Sequence, residues 1–145
     1  MVRQQFSGGF IADLIMDKND YRKLYVIDQE EVFVTPDGGR NWVNITGNLT
    51  DFSPGELRSL EIIPGYQDNA LVLGTNRGIY SSSTNSLGNW TRLGDTALPN
   101  APVYDMEYDR QDDVLVAGLL GRGAWVLPNA SSVTDQAELP SVPNG

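Results

Sequence analysis

Thr35-Pro36-Asp37-Gly38-Gly39-Arg40-Asn41-Trp42 is the stretch on which the reading of this chain turns. It follows the pattern Ser/Thr, any, Asp, any, Gly, any, any, Trp, and it stands between two short apolar runs, where a hairpin turn is required. The chemistry it predicts is structural. Asp37 accepts hydrogen bonds from the backbone N–H groups just after it, Gly39 takes the positive φ of the turn, and Trp42 packs back over the sheet.

Outward from the turn, the flanking runs recur. Asp13, Ser59 and Asp105 fall 46 residues apart, each two residues into an apolar stretch (Ile11 to Met16, Leu57 to Ile63, Val103 to Tyr108). A second run follows each (Leu24 to Ile27, Leu71 to Gly74, Val114 to Ala117), then a third (Val32 to Val34, Gly78 to Tyr80, Gly123 to Leu127). The dipeptides Arg77-Gly78 and Arg122-Gly123 introduce the last two. A fourth run, Trp42 to Ile45 or Trp90 to Leu93, exists in the first two units only.

The runs are short, rich in Val, Ile, Leu, Tyr and Trp, and bounded by Gly, Asn, Asp or Pro, which predicts strands and no helix. Four strands per unit at this period predict an all-β chain of β-propeller blades: three antiparallel four-stranded units, the last incomplete. The nearly all-apolar second strand predicts blades covered on both faces. The alternative is a β-sandwich with three look-alike units, against which stand the shared Arg-Gly and Trp positions. The expected divisions are an N-terminal segment (1–9), blade 1 (10–50), blade 2 (51–99), blade 3 with three strands (100–128) and a C-terminal tail or linker (129–145).

The turn motif with its strand pattern resembles the Asp-box, or bacterial neuraminidase repeat, of sialidases, sortilin-type receptors, xyloglucan-active glycoside hydrolases and secreted bacterial propellers. Thr35, Asp37, Gly39 and Trp42 match the box. The second unit keeps Trp90 but has Ser82 to Asn89 in place of the Asp turn, and the third has no such turn. Leu120-Gly121-Arg122-Gly123-Ala124-Trp125 resembles the closing blade of the bacterial members. The resemblance implies that the box lies on an outer hairpin, away from the ligand face, so Asp37 is expected to hold a turn rather than act as a catalytic acid or calcium ligand.

Ten basic against nineteen acidic side chains leave a net charge of -9, which repels phosphate backbones and anionic lipid surfaces. Nucleic acid is therefore not an expected partner, and no stretch is long and apolar enough to predict membrane insertion. The chain contains no Cys and no His, which removes disulfides, thiolate chemistry, Ser-His-Asp triads and the usual zinc sites. No metal and no cofactor are expected.

Propeller ligand sites are built by the loops joining the fourth strand to the next blade and the second strand to the third. Arg77 and Arg122 stand at equivalent places there, to bind a carboxylate or sugar or, alternatively, to pair with Asp13 or Asp105. Asp13 and Asp105 are the best-placed acids on innermost strands, but they occupy repeat positions. Glycoside hydrolysis needs two carboxylates flanking the scissile bond, and no motif places such a pair here, so no catalytic residue is assigned. Four Asn-X-Ser/Thr triplets, at Asn44, Asn48, Asn89 and Asn129, are read as composition.

Propellers close with about four to eight blades, so three units imply either further blades from a longer parent chain or self-association into a closed ring. Val2 to Phe6 is a candidate for the missing fourth strand, or else the trimmed end of a preceding blade. The functional expectation is a non-catalytic module of an extracellular or cell-surface protein, recognising protein or carbohydrate. A fragment of an Asp-box glycoside hydrolase with its catalytic residues elsewhere, and a purely architectural role, are the alternatives.

Overall fold

The computed structural model describes residues 11–65, 68–93, 102–121 and 123–134. Blade 1 comprises β1 (Asp13–Asp17), β2 (Asp20–Ile27), β3 (Val32–Thr35) and β4 (Val43–Asn44), hydrogen-bonded in sequence order. Blade 2 repeats it with β5 (Leu57–Ile63), β6 (Ala70–Thr75), β7 (Gly78–Ser83) and β8 (Thr91–Leu93). Blade 3 has β9 (Val103–Asp109), β10 (Val114–Leu119) and β11 (Gly123–Pro128), a three-stranded sheet. Every pairing is antiparallel. The all-β blade architecture expected from the 46-residue register is the one observed, and the Val2 to Phe6 strand lies outside the described residues.

Two apolar layers hold the three sheets face to face. Between blades 1 and 2, Tyr25, Ile27, Val34 and Ile45 meet Leu60, Leu71, Leu73, Tyr80 and Trp90. Between blades 2 and 3, Ile63, Val72, Ile79 and Leu93 meet Val103, Met106, Leu115 and Ala117. Burying side chains of this size is worth about 1.5–3 kcal/mol each, so stacking of sheets, not any single blade, stabilises the fold.

Position in the stack decides the pattern of each second strand. All six residues of β6 are buried because blade 2 has a neighbour on both sides. The expectation of full burial fails for β10, which alternates because one face of blade 3 has no neighbour among the described residues. The fourth strands are also shorter than their apolar runs. Trp42 and Trp90 belong to the turns before β4 and β8.

The expected tail begins with ordered structure. A short helix α1 (Ala130–Thr134) buries Ala130 and Thr134. Asp113 anchors it, accepting from the Ser131 N–H at 2.9 Å and the Ser131 hydroxyl at 2.7 Å. Among the described residues no helix is long and apolar enough to cross a membrane.

Candidate functional site

The first strands of the blades contact one another, β1 with β5 and β5 with β9, so they surround a common axis. One end of that axis carries Asp13, Ser59 and Asp105. Asp13 accepts from the Leu14 N–H through Oδ1 and from the Leu60 N–H of the next blade through Oδ2, both at 2.9 Å. Asp105 accepts from the Met106 N–H at 2.9 Å and from the Ser59 hydroxyl at 3.4 Å. The register that marks these three residues is thus a row of ties between inner strands.

Arg77 is exposed at the turn between β6 and β7, where its guanidinium donates to the Ser53 carbonyl at 3.4 Å. The Arg–carboxylate pairs found among the described residues are Arg22 with Asp20 and Arg58 with Glu56, so Arg77 is placed with neither Asp13 nor Asp105. Arg122 lies outside the described residues.

Thr35, Asp37, Gly39 and Asn41 form a closed local network on the hairpin between β3 and β4. The Thr35 hydroxyl donates to Asp37 Oδ1 at 2.9 Å and accepts from the Gly39 N–H at 2.8 Å. Asn41 donates its N–H to Asp37 Oδ1 at 2.9 Å and its side-chain amide to Oδ2 at 2.7 Å. The Asn41 donors, with Thr35 and the Arg40 N–H, hold the Asp37 carboxyl below its ordinary value. Gly38 and Gly39 take φ of 73° and 93°, and Trp42 is half-buried.

The opposite end of the axis, at the hairpins joining first and second strands, holds a cleft of about 80 Å³. Its lining follows the repeat. Met16, Ile62 and Tyr108 occupy one equivalent position in the three blades, and Lys18, Pro64 and Arg110 another, each set spaced by 46. Glu61, Asp17 and Asn69 complete the polar wall over Ile15 and Ile62.

Glu61 is a partly buried acid of this cleft. Burial raises its pKa, and this outweighs hydrogen bonds from the Tyr108 and Ile62 N–H groups and the pull of Lys18. The Tyr108 N–H reaches Glu61 Oε2 at 2.9 Å. Burial, reinforced by a 2.6 Å hydrogen bond from its hydroxyl to Asp113, pushes Tyr108 up to about 12. Among the described residues no group of three or more acidic side chains is placed to hold a metal.

Arg77, Asp13 and Asp105, the candidates legible in the sequence, lie toward the other end of the axis, away from these residues. The available signal was the charge of Lys18 and Arg110 at matching register positions. The partial burial of Glu61 has no local signature, because it comes from the neighbouring blades.

No family model and no curated protein matches this chain. Among solved structures it is similar to the crystal structure of an ancestral GH74 enzyme, with a TM-score of 0.61 and 21% identity. The match covers 82% of this chain and 15% of that one. At that identity the likeness shows the fold alone, and this chain spans a small part of that structure.

Proposed function

We propose that this chain is a non-catalytic propeller segment that recognises protein or carbohydrate as part of an extracellular or cell-surface protein. The cleft at the hairpin end of the inner strands carries the reading. It offers cationic donors from Lys18 and Arg110, an amide from Asn69 and a carboxylate from Glu61 over an apolar floor. That mixture suits hydroxyl or amide groups lying on an apolar face. Its volume of about 80 Å³ suits one protruding group rather than a whole ligand, for which pockets run to roughly 300 Å³ or more.

The inner-strand acids argue for binding over hydrolysis. Asp13 and Glu61 each accept from the N–H of the next residue and from an N–H of the following blade, so they serve as ties between strands. The likeness to a GH74 enzyme favours a second reading, in which the chain is a piece of an Asp-box glycoside hydrolase whose catalytic groups lie on other blades.

A glycan and peptide array run beside a glycosidase panel separates the readings. Binding without turnover, lost when Lys18 and Arg110 are both changed to Ala, supports recognition. Turnover supports the hydrolase reading, and silence in both assays leaves an architectural role.

A further inference from the structure

A carboxylate tie recurs at each junction between blades. Asp13 on β1 bonds the Leu60 N–H on β5, and Glu61 on β5 bonds the Tyr108 N–H on β9; each donor lies 47 residues after its acceptor. Asp105 and Glu107 stand 46 residues after Ser59 and Glu61. Both are exposed on β9, Asp105 with its Oδ1 on the Ser59 hydroxyl of blade 2. Blade 3 therefore presents the carboxylates that elsewhere grip a following blade.

The apolar side chains repeat the relationship. Val72 pairs with Glu61 and Val116 pairs with Glu107, so the two valines occupy the same place in successive blades. Val72 is 0% exposed and Val116 37%, with its cross-strand partner Val126 at 53%. On the opposite side of the stack, Leu14, Leu60 and Met106 are equivalent. Leu60 and Met106 are 4% and 7% exposed beneath a preceding blade, whereas Leu14 is 50% exposed.

We infer that the outer face of blade 3 docks onto the β1 face of blade 1 in a second copy of this chain, continuing the interface that already joins blades 1, 2 and 3. Val116 and Val126 cover Leu14 and Met16 of the second copy. Asp105 and Glu107 accept from that copy's Leu14 and Met16 N–H groups, the register equivalents of the Leu60 and Tyr108 donors. The contact is heterologous, a front face on a back face, and two such contacts close two three-bladed copies into a six-bladed ring.

Leu14→Asp and Val126→Asp test this by sedimentation velocity and light scattering from micromolar to millimolar concentration. Both positions are exposed and outside the cleft, so folding and any cleft binding persist. The wild type is expected at twice its chain mass at high concentration, and each variant alone at the monomer mass. Mixing the variants restores a 1:1 pair, because the intact blade 3 face of the Leu14→Asp chain meets the intact blade 1 face of the Val126→Asp chain. Glu107→Ala, which leaves the tie between Ser59 and Asp105 in place, weakens association by about tenfold. A wild type that stays monomeric, variants that keep its mass, or a mixture that fails to pair overturns the inference, whatever the cleft is found to bind.

Discussion

The Asn48 side chain pairs with the Trp90 backbone at two points: Oδ1 accepts the Trp90 N–H at 2.6 Å, and Nδ2 donates to the Trp90 carbonyl at 3.1 Å. The amide thus acts as one rung of a strand, joining the 3-10 turn after blade 1 (Gly47–Phe52) to the start of β8 in blade 2. The buried indole of Trp90 completes the clasp by donating to the Ile45 carbonyl at 3.0 Å. Asn48→Ala removes two hydrogen bonds of about 1 kcal/mol each. Melting should fall by roughly 4–8 °C in calorimetry, at about 2–4 °C per kcal/mol for a chain of this size. Asn48→Asp keeps the acceptor alone and should fall between.

Gly47 stands beside that clasp with φ of 50°, and a Cβ there would lie 1.9 Å from the Gly88 carbonyl oxygen. Gly39 has φ of 93° and open space around it. Gly39→Ala should therefore cost only the left-handed backbone strain, about 1–2 kcal/mol. Gly47→Ala must also push two backbones apart, so its melting temperature in the same buffer should be the lower of the two.

Asp37 stabilises its turn as a carboxylate. Its pKa is lower folded than the ordinary 3.8, so the stabilisation is complete above that value and is lost as pH falls through the folded one. Asp37→Ala should melt below wild type near neutral pH, and the difference should narrow in acid. Melting curves across that range check it, and equal melting at neutral pH would refute the role.

Glu61 behaves in the opposite sense. Its folded pKa lies above the ordinary 4.5, so protonation favours the fold: the benefit is full below 4.5 and is lost as pH rises through the folded value. Glu61→Gln keeps an acceptor for the Tyr108 N–H without the buried charge. Relative to this variant, wild type should lose stability between mildly acidic and neutral pH, which paired thermal melts at each pH will show.

Tyr25 is fully buried, and its hydroxyl has no hydrogen-bond partner among the described residues. Burial and the charge of Asp17 push its pKa up to about 12. Tyr25→Phe removes a desolvated polar atom and keeps the ring, so it should leave stability unchanged or raise it by about 1 kcal/mol. Denaturant unfolding checks the sign.

The blades are legible in the order of residues alone. The short apolar runs, the Asp turn and the recurrence of Asp13, Ser59 and Asp105 are set by neighbours along the chain, and local geometry carries them into the fold. What those residues do follows from partners that folding brings across the blade junctions. Asp13 became a tie because Leu60 lies across a blade junction, Glu61 rose in pKa because its neighbours on other blades bury it, and β10 lost its cover because no described sheet lies against the outer face of blade 3. The hairpin-end cleft belongs to the same class, since Lys18 and Arg110 meet around the axis only after the sheets stack. Burial and hydrogen-bond partners depend on distances between segments some 46 residues apart, which no local pattern of side chains encodes.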